Sequence, residues 1–229
     1  MYPFFWDPTF ILILPAVFLA LYAQWKVQST FSEYSKVASS YGMTGAQVAR
    51  RLLDANGLND VPVEASEGAL SDHYDPQKGV LRLSSDVHGS NSVAALGVAA
   101  HEVGHAIQGK KGFFLMQFRN GLVPVANIGS TMAFPLFFLG FLFQAPRLMD
   151  IGILVFGAAV LFQVVTLPVE LDASRRALAA LSGGGYLSVD EQPLARKVLQ
   201  AAALTYVAAL AMAVLQLLRL LVLRRNRDD

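Results

Sequence analysis

The chain has no cysteine in its 229 residues. Disulfides, thiolate metal sites and cysteine nucleophiles are therefore excluded, and histidine and carboxylate are left as the strong metal ligands. Charge is also scarce: Asp, Glu, Lys and Arg make up 15% of the residues against 54% hydrophobic, and the formal net charge is +1. With no basic surface beyond the C-terminal Arg224, Arg225 and Arg227, nucleic acid is not an expected partner. So apolar a composition does not fit a soluble domain and reads as an integral membrane protein in contact with a lipid bilayer.

Against that background, two of the four histidines stand together in His101-Glu102-Val103-Gly104-His105. On an α-helix, positions i and i+4 share a face, so both imidazoles can hold one metal ion. Glu102 then points to the side of the pair. A zinc ion with one open position lowers its water's pKa to about 7, and a nearby carboxylate can take the proton. That is the chemistry of metal-assisted amide hydrolysis. The surrounding helix is almost all Ala, Val and Gly, and two imidazoles with a carboxylate are costly to bury there without a metal or partners.

Apolar runs divide the chain. Residues 9–23 form the first; lacking a basic start and a small-residue cleavage site, it reads as an uncleaved anchor, bracketed by Trp6 and Trp25. Residues 1–25 are thus an expected transmembrane helix, which residues 29–40 continue into water. Residues 26–120 are polar enough to be soluble. Thr44-Gly45-Ala46-Gln47 is a capping-box pattern opening a helix with an apolar stripe of Val48, Leu52 and Leu53. Three short alternating runs, 61–64, 70–74 and 80–83, predict a small sheet, with Asp75-Pro76-Gln77-Lys78-Gly79 as a hairpin turn. The motif helix is expected from the capping residues Ser90-Asn91-Ser92 to Gly109.

Residues 121–167 read as a transmembrane hairpin turned by 144–147, its second arm ended by Leu167-Pro168. Residues 168–198 hold a charged helix closed by Gly183-Gly184-Gly185, then Ser188-Val189-Asp190-Glu191, a capping-box pattern opening the last helix. Residues 199–229 carry the fourth span, 201–222. Two spans between His105 and Glu170 return the chain to its starting side, so Glu170 is available to the same metal. Thirteen Lys and Arg fall on that side against five on the other, which favours a cytoplasmic site, although the basic C-terminus runs against it. Asp172 and Ser174 are candidates to orient a ligating histidine, Arg175 to steady an oxyanion, and His73 to stabilise a substrate.

The stretches Ser71-Asp72-His73-Tyr74-Asp75-Pro76, His101-Glu102-Val103-Gly104-His105-Ala106-Ile107-Gln108 and Pro168-Val169-Glu170-Leu171-Asp172-Ala173-Ser174-Arg175-Arg176 together resemble the bacterial YugP-type membrane zinc metallopeptidases. That family is similar, more distantly, to membrane proteases of the HtpX and CAAX-prenyl type. The resemblance implies His101, His105 and Glu170 as ligands of one zinc ion and Glu102 as the base. The distant relatives usually carry Asp four residues after the ligating Glu; here that position is Ser174, so the orienting role falls to Ser174 or passes to Asp172. It also implies an edge strand beside the motif helix that aligns an extended peptide, for which residues 69–74, with Leu70, Ser71 and Asp72, are the candidates.

The expected protein is mainly α, an integral membrane protein of about four transmembrane helices with a small α+β zincin-like region that includes a short β-sheet. The expected function is a zinc-dependent endopeptidase of the bacterial inner membrane acting on peptide or protein substrates. The alternative is a zinc-binding membrane scaffold with little turnover. Substrate, a membrane-protein partner and a homo-oligomer are left open by the sequence.

Overall fold

The structure is a computed structural model describing residues 8–68 and 71–226. Trp6, Leu70 and Arg227, singled out above, lie outside the described residues. After a short 3-10 turn (Pro8–Leu12) come α1 (Leu14–Tyr34), α2 (Gly45–Ala55), β1 (Val63–Ser66), β2 (His73–Asp75), β3 (Val80–Ser84), α3 (Ser85–His88), α4 (Val93–Lys110), α5 (Phe114–Leu142), α6 (Pro146–Gly183) and α7 (Gln192–Arg225). The chain divides into a mixed unit, Gln24–Met116 with Val169–Leu204, and a helical unit holding the described residues up to Ala23, Gln117–Pro168 and those from Thr205 on.

In the mixed unit, α2 starts where its sequence says it should. The Thr44 side chain accepts from Gln47 N, and the Gln47 side chain accepts from Thr44 N, so two otherwise unpaired donors are satisfied reciprocally. Its Val48, Ala49, Leu52 and Leu53 are buried. The sheet has the order β1-β3-β2, with β3 parallel to β1 and antiparallel to β2. The β2–β3 turn is held by the Asp75 carboxylate, which accepts from Gln77 N and Lys78 N, and by Gly79 at φ +64°. On β3, Arg82 pairs with Glu64 and Asp75 on the two flanking strands, tying the register laterally.

Helix α4 is the hub of this unit. Ser92 caps it by accepting from Ala95 N, and most of its residues are buried. Its apolar side chains share one core with Leu52, Leu53, Leu81, Leu83 and Val87, and with Ala177 and Leu181 of α6 and Ala195 and Leu199 of α7. Each fully buried leucine contributes roughly 1.5–3 kcal/mol of transfer free energy, and that shared core is what fixes α6 beside α4.

In the helical unit, α5 and α6 form a hairpin whose contact is built from small residues. A β-carbon on Gly140 would lie 2.6 Å from Met149 N, and one on Gly152 2.8 Å from Phe137 N, so the backbones touch. Ala133, Phe137, Met149, Phe156 and Leu220 form its core. Phe138, Leu139, Leu154 and Leu161 point outward as exposed apolar side chains.

Among the described residues three helices, α5, α6 and α7, are long and apolar enough to cross a membrane. These match three of the four expected spans. Helix α1 is not among them, because beyond Ala23 it carries Gln24, Lys26, Gln28 and Glu33. It also stops at Tyr34 rather than running to residue 40, since Val37 O and Ser39 N bond to Val93 N and Asn91 O. Pro168 does not end the second arm: α6 is one helix through to Gly183. Proline removes a single intrahelical bond, and the packed neighbours on either side hold the helix. Ser71 and Asp72 precede β2 instead of lying in it, because the Asp72 carboxylate accepts from Ser84 N and Ser84 Oγ. Finally, α7 begins at Gln192, one turn after Ser188.

Candidate metal centre

The helix period places His101 and His105 on one face of α4, with ring centroids 4.8 Å apart and planes at 86°. Glu170 comes from α6. Its Oε2 lies 3.2 Å from His101 Nε2 and 3.3 Å from His105 Nε2. Among the described residues these three form the one group of His, Asp or Glu whose ligand atoms all lie within 4.8 Å of each other. The approach depends on Gly104, where a β-carbon would stand 2.6 Å from Ala173 O.

Two imidazole nitrogens and a carboxylate oxygen are the donor set of open zinc sites. Tetrahedral bonds of about 2.0–2.1 Å place neighbouring ligand atoms about 3.3 Å apart, which is the spacing found between Glu170 and each histidine. Electrostatics agree. Burial alone would lower the His105 pKa, but the Glu170 and Glu102 carboxylates outweigh it and raise it, so the pocket favours positive charge. The residues fit the ion.

Each ring is held from behind. His101 Nδ1 lies 3.1 Å from Ser174 Oγ, and His105 Nδ1 lies 3.0 Å from Gln108 Oε1. Gln108 is fully buried and donates from Nε2 to Val169 O at 2.8 Å and to Asp172 Oδ2 at 2.9 Å. Asp172 also accepts from Arg175 and Arg176. Both orienting candidates thus contact the centre, Ser174 directly and Asp172 through Gln108, one for each histidine.

Glu102 is buried beside the donors, and its Oε2 accepts from Tyr74 N at 3.0 Å. Tyr74 is opposite Leu81 on β3, whose own N–H goes to Pro62 O on the far side. Tyr74 N–H therefore points off the free edge of β2, toward the centre. Arg175 is largely exposed and its guanidinium is spent on Asp172 rather than aimed at the donors. His73 is exposed on β2, its ring against Ser71 O and Arg82. Asp72 is pushed to a higher pKa by burial, partly offset by its bonds from Ser84, with Glu102 adding to the rise.

Sequence reasoning did not single out Gln108, the Tyr74 N–H or the close approach at Gly104. For Gln108 a signal existed: it sits three residues after His105, on the same helix face, within side-chain reach.

Residues 9–225 match the family described as "Putative neutral zinc metallopeptidase". The chain is 46% identical over 218 residues to "Putative membrane protease YugP" of Bacillus subtilis (strain 168), covering 95% of this chain and 97% of that relative. No solved structure matches.

Proposed function

The chain belongs to this zinc metallopeptidase family, and from that premise we propose that it is an endopeptidase anchored in the bacterial inner membrane, cutting peptide or protein substrates with one zinc ion held by His101, His105 and Glu170. The observation that carries the reading is the convergence of these three donors with a second carboxylate, Glu102, beside them and tied to a strand edge. Zinc there would supply Lewis acidity, polarising a peptide carbonyl and acidifying a water.

The remaining work belongs to the chain. Glu102 takes the proton from the attacking water and can return it to the leaving amine, and its contact with Tyr74 N fixes where that carboxylate stands. The free edge of β2 pairs with an extended substrate backbone, with Ser71 and Asp72 leading into it. A zinc site that serves only to hold structure uses four protein ligands; among the described residues three converge, which favours the enzyme over the scaffold.

The expected N-terminal span, residues 1–25 with its apolar run 9–23, is the fourth crossing in this reading, and the distribution of Lys and Arg supports a centre on the cytoplasmic side. The test is Glu102→Gln. The variant is expected to fold and keep its zinc but to stop cleaving, and membrane peptides that accumulate only in cells carrying it would be the substrates. A Glu102→Gln protein that still cleaves would sink the mechanism.

A further inference from the structure

A neutral imidazole carries its proton on one nitrogen and offers a lone pair on the other, so whatever places the proton decides which nitrogen can hold a metal. At His105 that placement follows from the partners of Gln108. A side-chain amide donates two hydrogens from nitrogen and only accepts at oxygen. Val169 O and the Asp172 carboxylate both only accept, and both lie within hydrogen-bond distance of Gln108 Nε2, so its two hydrogens are used there. Oε1 is thereby turned to His105 Nδ1 and can only accept from it. Turning the amide over would set its oxygen against two acceptors in a place with no exposure to solvent.

We propose that Gln108 is a positioning residue that fixes His105 with its proton on Nδ1 and its Nε2 lone pair toward the metal. Gln108 is fixed in turn by Asp172, whose two oxygens are held by Arg175 Nη2 and Arg176 Nε. The chain of control runs from two arginines on α6, through a carboxylate and an amide, to a ligand on α4. His101 is different: its Nδ1 faces the Ser174 hydroxyl, which rotates to donate or to accept and so imposes no choice. The inference rests on the zinc reading above.

The experiment uses the full chain in detergent and measures zinc affinity by competition with a chelator at fixed pH. Gln108→Met keeps the length and removes both functions of the amide, and Gln108→Glu keeps an acceptor for His105 but sets two carboxylates against each other. Both are expected to weaken zinc binding about 10–100-fold, the usual cost of losing a partner behind a metal ligand. Adding Asp172→Asn to Gln108→Glu removes the repulsion between the two carboxylates, although Val169 O then loses its donor and Arg176 Nε loses its acceptor, and is expected to recover part of the loss. A purely packing role would give Gln108→Met the wild-type affinity, or leave the paired variant no tighter than Gln108→Glu alone; either result overturns the proposal. If Gln108→Met does not fold, the comparison of single and paired variants decides. A wild-type chain that binds no zinc would instead overturn the proposed function itself.

Discussion

Gly104 and Ala173 meet backbone to backbone, with room at Gly104 for a hydrogen and nothing larger. This contact lies one residue before His105 on α4 and three after Glu170 on α6, so it sets the distance across which the carboxylate reaches both imidazoles.

Gly104→Ala should therefore damage the centre out of proportion to its size. A β-carbon 2.6 Å from a carbonyl oxygen forces the helices apart, at about 1–3 kcal/mol for overpacking of this kind. The expected result is a lower thermal midpoint together with weaker zinc binding. Gly97→Ala is the control, because its nearest neighbour would be at an ordinary 3.8 Å.

Zinc binding should weaken as the medium is acidified, starting above the ordinary histidine value of 6.5. The His105 pKa is raised, so a proton competes for the ring at a higher pH than it would on an exposed histidine. Zinc titrations between pH 5 and pH 8 check this. An affinity that is flat down to about pH 6 would contradict it.

Tyr74→Pro removes the N–H that holds Glu102, at a position where β2 makes no ladder bond from that nitrogen. Tyr74→Ala loses the same side chain but keeps the N–H. A bond to a charged group is worth about 1.5–3 kcal/mol, so the proline variant should turn over about ten-fold or more slowly than the alanine variant. Zinc affinity should be the same in both, which separates an effect on the base from one on the ligands.

Glu191 supplies an acid-sensitive tie. It is buried, which opposes ionisation, but bonds from Ser40 N, Ser40 Oγ and Ser188 N outweigh burial and lower its pKa. A lowered folded-state value means its stabilisation is complete above the unfolded value near 4.5 and is lost as pH falls through the folded one. Wild type should unfold at a higher temperature than Glu191→Gln at pH 7, and the gap should narrow as pH falls below the unfolded value of 4.5.

What the sequence disclosed was mostly local. The caps at Thr44 and Ser92, the β2–β3 turn and the two histidines on one helix face depend on residues within five positions of each other, and periodicity and capping chemistry reach that far. Glu170 was reachable by another route, the counting of apolar runs. Three of the misreadings share one physical cause: a side chain or backbone group satisfied by a distant partner. Asp72 bonds to Ser84 and so leaves the strand, Val37 and Ser39 turn away from α1 to meet the start of α4, and Pro168 survives inside a helix because both flanks are packed. Gln108 belongs to the same class, since its three partners include two from α6 that no pattern in α4 could announce.

The separation of the donors also sets an order in time. Glu170 follows His101 by 69 positions, and α5 with most of α6 lies between them. During synthesis, a chain that has already emitted the histidine pair has no third donor until both of those helices exist, and its shared core is not complete until Leu199 has followed. A stalled or truncated product ending before Glu170 holds the motif without the centre. On the proposed function, hydrolytic capacity would thus be withheld from the nascent chain and would arise only with the nearly finished molecule.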